Sequence, residues 1–187
     1  MEKDLYFCKP KFTEMSGIFT IPLGGLKEGC HTFDFEISKE FFDLFEESEI
    51  KEGELVAITE VERRSSHIDL VIRISGKVRI CCDRCLELFD QLLEFEDRIL
   101  VKFGIVSDDS DPEIVTVPAD EHELDMKQYF YEFIHLALPI KRMHPVDKKG
   151  NSTCDPAMLQ KLEEHLVDDE KENDPRWDEL KKLINDN

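Results

Sequence analysis

Between His67 and Cys82 apolar and polar residues alternate almost without a break, and this period of two limits the fold more than any other feature of the chain. Even positions hold Ile68, Leu70, Ile72, Ile74, Val78, Ile80 and Cys82, whereas odd positions are mostly polar, with His67, Asp69, Arg73, Ser75, Lys77 and Arg79. Successive side chains of an extended strand point to opposite faces, so the pattern predicts a long strand with one face against a core. Gly76 falls on the apolar parity, where a missing side chain permits a bulge or a sharp bend. After Cys85 and Leu86 the alternation resumes on odd positions, with Phe89, Leu93, Phe95, Ile99, Val101 and Phe103. Two long antiparallel strands joined near Cys82–Cys85 are expected.

The remaining elements are shorter. Strands are predicted from Gly17 to Leu23, from His31 to Ile37, from Glu54 to Arg64 and from Glu113 to Val117. Ser38 is a suitable N-cap for a short helix through Phe41, Phe42, Leu44 and Phe45. From Leu124 to Leu138 the period changes to that of a helix, through Met126, Phe130, Phe133, Ile134 and Ala137, and Pro139 ends it. Asp155-Pro156 opens a second helix through Leu159, Leu162 and Leu166, and Asp174-Pro175 a third carrying Trp177, Leu180, Leu183 and Ile184. Strands first and helices last imply an α+β fold: an antiparallel sheet, open or barrel-like, with C-terminal helices. Residues 1–14 show no period and read as an arm.

With 24 basic and 43 acidic residues the formal net charge is −19. Such a surface repels phosphate backbones at long range and favours a basic protein as partner. The opening residues do not read as an export signal, and no apolar run approaches the ~18 residues of a membrane span. A cytoplasmic protein without membrane contact is expected, its six cysteines reduced or bound to metal.

Cys82-Asp83-Arg84-Cys85 is the one compact motif with chemical meaning. In a thiol redox enzyme such a pair adjoins a helix N-terminus, which lowers a thiol pKa; here strand patterns flank it on both sides. On a tight turn two cysteines with this spacing present both sulfurs to one zinc ion, and His144 and Cys154 are candidates for the other two ligands. Cys82 also lies on the apolar parity, and the sequence favours packed, unmetallated thiols over a bound ion. Cys8, Cys30 and Cys81 lack a spaced partner. No nucleophile elbow, phosphate-binding loop or dinucleotide fingerprint occurs, and Glu121-His122-Glu123 lacks the second histidine of a zinc peptidase. The acidic runs at Glu46–Glu49, Asp108–Asp111 and Asp168–Asp174 read as solvated surface, with a docking face for a basic partner as the alternative. Lys141, Arg142, Lys148 and Lys149 form a local basic patch suited to RNA contact, and Trp177 reads as a packing anchor or an interface residue.

Several blocks resemble the YceD family of large ribosomal RNA subunit accumulation proteins. Gly76 through Phe89 is similar to the family's glycine followed by Cys-x-Arg-Cys, with Cys82, Arg84 and Cys85 matching. Leu124-Asp125-Met126 and Leu136-Ala137-Leu138-Pro139 resemble the start and end of a family helix, His144 and Cys154 a histidine and cysteine beyond it, and Asp174 through Leu183 the closing helix. Some members carry a second Cys-x-x-Cys after the proline, whereas this chain has Cys154 alone, so a four-ligand site depends on His144. The resemblance implies one YceD-like domain over residues 15–187, strand-rich over 15–117 and helical over 124–187. It implies a role in large-subunit biogenesis that supports rRNA accumulation, with no reaction established for the family, and it does not distinguish direct from indirect contact with rRNA. The absence of a catalytic motif and the net charge of −19 add the expectation of a noncatalytic factor that binds a basic ribosomal protein or assembly factor, its contact with rRNA indirect, with Arg84, Lys141, Arg142 and Trp177 as candidate binding residues. An rRNA-processing enzyme or a direct RNA-binding protein is the alternative.

Overall fold

A computed structural model describes residues 19–104 and 114–166. Five strands form one sheet in the order β2-β3-β4-β5-β6, comprising β2 (Gly29–Ile37), β3 (Glu52–Arg63), β4 (His67–Cys81), β5 (Leu88–Phe103) and β6 (Ile114–Val117). A second, two-stranded sheet pairs β1 (Thr20–Pro22) with β7 (Glu123–Asp125). The helices are α1 (Lys39–Phe42), α2 (Lys127–Leu136) and α3 (Pro156–His165). The α+β class is as expected. The five-stranded sheet stays open, and its β5–β6 pair is parallel, so the sheet is mixed at that edge rather than antiparallel throughout.

The long hairpin follows its pattern. β4 and β5 pair antiparallel from His67↔Lys102 to Cys81↔Leu88. The even positions Ile68, Leu70, Ile72, Ile74, Val78 and Ile80 are buried with Phe89, Leu93, Ile99 and Val101 opposite. Odd positions of β3 (Leu55, Ala57, Thr59, Val61) and β2 (Phe35, Ile37) continue the same inner face. The apolar side of α2 closes over it, Phe130 meeting Phe35 at 5.0 Å between ring centroids and Phe133 meeting Phe95 at 5.2 Å. Gly76 forms no bulge, because the register runs through it unbroken to both neighbours. Its φ of +147° suits glycine, and a Cβ there would lie 2.2 Å from the Glu54 carbonyl oxygen. The missing side chain lets two backbones approach.

Two helix boundaries differ from expectation. Leu124 belongs to β7, opposite Ile21, and the helix begins at Lys127. A short apolar run satisfies strand and helix periods alike, and here the partner strand β1 decides between them. The helix after Ser38 ends at Phe42, and the Ser38 side chain bonds to the Glu40 carboxylate rather than to a backbone N–H. The third expected helix, with Trp177, and the arm at 1–14 lie outside the described residues.

The outer face of the sheet is solvent-facing. Arg73 bridges Glu60 at 2.8 Å and Glu96 at 2.7 Å, and Lys77 reaches Glu54 at 3.1 Å. Beside these pairs Val56 and Ile58 are 42% and 38% exposed. Their cross-strand neighbours on β2 are Glu36 and Asp34.

Candidate metal centre

The tip of the β4–β5 hairpin folds into a tight knuckle. The Cys82 N–H donates to the Glu87 carbonyl at 2.9 Å, and the Leu86 N–H returns to the Cys82 carbonyl at 3.0 Å. Leu86 accordingly sits in the left-handed region, at φ +62°. This winding turns Cys82 and Cys85 inward, where they are 0% and 2% exposed. Arg84, between them, is exposed.

The loop after α2 is clamped against the knuckle. The Asp83 N–H donates to the Arg142 carbonyl at 2.7 Å, and the Arg142 N–H donates to the Asp83 carboxylate at 2.8 Å. The Arg142 guanidinium pairs with Glu49, so this side chain serves as a strut between segments, while Lys141 beside it is exposed. His144 then lies over the Phe89 ring, centroids 4.8 Å apart. The loop is closed by an isolated bridge between Val146 and Ser152 and by the Thr153 hydroxyl donating to the Pro145 carbonyl at 2.6 Å. Asp155 caps α3 by accepting the Ala157 N–H, which sets Cys154 at the helix entrance, 4% exposed.

These constraints bring together the four residues singled out by sequence. The donor atoms of Cys82, Cys85, His144 and Cys154 all lie within 4.8 Å of one another. The Cys82 and Cys154 sulfurs are 3.8 Å apart, and Cys85 Sγ is 3.3 Å from His144 Nδ1. Tetrahedral zinc with ordinary bond lengths has ligand–ligand edges of about 3.5–3.8 Å, so the set fits such an ion with small adjustments. No ion is needed to explain burial of a cysteine, but simple apolar packing does not account for the polar groups around these sulfurs. Burial pushes the Cys82 thiol up. The backbone N–H groups of Cys85, Arg84 and His144, with the His144 side chain, outweigh it and bring the thiol down to about 6. Cys85 moves the other way: burial and the neighbouring Cys82 and Cys154 raise it against the N–H groups of Glu87 and Asp155. Adjacent sulfurs resist ionising together unless a cation sits among them. The cluster can hold a metal.

The other cysteines stay apart from it. Cys81 is exposed and its thiol donates to the Leu86 carbonyl at 3.2 Å; Cys30 is exposed on β2, and Cys8 lies outside the described residues, as does Trp177. Sequence reasoning missed Asp83, Glu49 and Phe89, which position the ligand loop. Asp83 and Glu49 act on Arg142 across 59 and 93 residues, so no local pattern marks their role.

No helix among the described residues is long and apolar enough to cross a membrane. No curated protein and no solved structure matches the chain. A family model described as "Large ribosomal RNA subunit accumulation protein YceD" matches residues 70–184, more than half of the chain, and takes in the knuckle, the loop after α2 and all four residues of the cluster. The chain therefore belongs to the YceD family, whose role lies in the accumulation of large-subunit ribosomal RNA.

Proposed function

We propose that this chain is a noncatalytic factor of large-subunit biogenesis that binds a basic ribosomal protein or assembly factor, and that its Cys82–Cys85–His144–Cys154 cluster holds a structural zinc ion. The outer sheet face carries the first part. Val56 and Ile58 stand side by side there, flanked by Asp34 and Glu36 on β2 and, across β4, by Glu94 on β5. Among the described residues these three carboxylates have no cationic partner, unlike Glu60, Glu96 and Glu54. Exposed aliphatic groups rimmed by uncompensated negative charge suit a segment in which lysines or arginines accompany apolar side chains. The net charge of −19 steers such a partner from a distance.

Four protein ligands saturate a zinc ion and leave no position for a reacting water, which suits a structural site and a noncatalytic protein. When bound, the ion would neutralise the thiolates and tie the loop around His144 to the hairpin tip. Such a centre stands in for core that a small domain end cannot supply.

A crosslinked, nuclease-treated pull-down read by mass spectrometry tests the reading. Wild-type protein should recover basic large-subunit proteins or assembly factors, with recovery falling as salt rises. Asp34→Lys with Glu36→Lys should abolish it. Recovery of no large-subunit component by the wild type would contradict the proposal.

A further inference from the structure

Leu86 is strained and exposed at once. The knuckle requires a positive φ at this position, which glycine adopts freely and other L-residues only at a cost, yet the chain places a large apolar side chain there, 65% exposed. Nothing in the core explains this choice. Ile140, which begins the loop clamped to the knuckle, is 101% exposed. Val146 and Met143 on the same loop are exposed as well, so several large apolar side chains face water at this end of the molecule.

The charges around them are opposite in character to those of the sheet face. Asp83 accepts the Arg142 N–H, Asp147 is occupied by the N–H groups of Lys149 and Asn151, and Glu49 pairs with Arg142. Those N–H bonds leave Asp83 and Asp147 charged, and Glu87 adds a third carboxylate. Arg84, Lys141, Lys148 and Lys149, all exposed, have no acidic side chain paired with them among the described residues. Elsewhere the sheet's Arg73 and Lys77 are consumed by carboxylates. Over residues 82–87 and 140–149 the five basic side chains Arg84, Lys141, Arg142, Lys148 and Lys149 outnumber the three acidic ones, Asp83, Glu87 and Asp147, so the local balance is positive where the chain as a whole is negative.

We infer that this end of the molecule, the knuckle with the Ile140–Lys149 loop, binds an unpaired segment of RNA directly. Arg84, Lys141, Lys148 and Lys149 contact phosphates, and Leu86 and Ile140 lie against exposed base faces. Unpaired RNA offers both parts of the match, a dense row of anions and apolar planes free of a duplex stack. Screening limits repulsion by the distant acidic body to about 8 Å at physiological salt, so contact at this end is tolerated while binding elsewhere on the surface is suppressed. An acidic protein would satisfy the cations but not as readily the exposed apolar groups among them. The inference goes beyond the protein-docking reading and uses a different surface, so the failure of either leaves the other standing.

Fluorescence anisotropy with a labelled, unstructured single-stranded RNA tests it on the full chain purified without chelator. Affinity should fall with salt at a logarithmic slope of about −3, as four phosphate contacts require. Lys148→Glu with Lys149→Glu should weaken binding at least tenfold and flatten that slope. Leu86→Gly should weaken it about tenfold while leaving the unfolding midpoint unchanged or raised, because glycine relieves the turn. Loss of binding together with loss of folding in Leu86→Gly would make the side chain structural and overturn its role. Unchanged RNA affinity in both variants would overturn the inference. Equal or tighter binding of polyglutamate would also overturn it, assigning the patch to an acidic protein.

Discussion

Ile72 in the middle of β4 and Cys82 just beyond its end are both fully buried, for different reasons. Ile72 is covered because its strand alternates, its neighbours alternate, and each places an apolar residue on the same side. Cys82 is covered by residues from distant sequence: His144 and Cys154 arrive on a loop fixed through Asp83 and Arg142. The hairpin is stabilised by apolar area, an effect shared among many side chains. The knuckle rests on a few directional contacts and, in our proposal, on one ion. Loss of one component should therefore be diluted in the first region and concentrated in the second.

The largest effect is expected where two backbones meet. Gly76→Ala would drive a Cβ into the Glu54 carbonyl and Leu55, at a φ that alanine disfavours. We expect a loss of about 3 kcal/mol or more in a denaturant titration, spread over the whole sheet because the transition is cooperative. A local defect confined to β3 would break the distinction drawn here. Next comes Cys154→Ser, for which metal content should fall to near zero and stability by about 2 kcal/mol. Hydrogen exchange should accelerate over 140–155 while the centre of β4 stays protected. Equal acceleration in both regions would show that they form one cooperative unit. Asp83→Ala removes the acceptor for the Arg142 N–H and should cost about 1 kcal/mol, with weaker metal retention as its distinguishing sign. Arg142→Ala keeps that backbone clamp and loses only the exposed pair with Glu49, so about 0.5 kcal/mol is expected, with metal retained.

The same contrast explains what could be read from sequence. β4 and β5 were legible because a strand's period is written locally, and Ile68 through Ile80 state it without outside help. The parallel pairing of β6 was not, since Ile114–Val117 has the same pattern in either direction and only the path of the intervening chain chooses. Leu124 fits the helix period in the sequence, because β1, the strand that claims it, lies far away along the chain. Of the site, the four donors were legible from their chemistry. That they converge was not, because the Asp83–Arg142 clamp spans 59 residues and leaves no periodic trace. The preference for packed thiols rests on the parity of Cys82 and on the absence of a second Cys-x-x-Cys, neither of which shows that the Cys154 sulfur arrives 3.8 Å from that of Cys82.

Native mass spectrometry of the full chain, purified without chelator, probes the proposed role of the cluster most directly. The expected result is one zinc ion per chain, lost in Cys82→Ser and in Cys154→Ser. A metal-free wild-type chain whose 140–155 loop is nonetheless as protected from exchange as β4 would contradict it, leaving packed thiols as the sufficient cause of the knuckle.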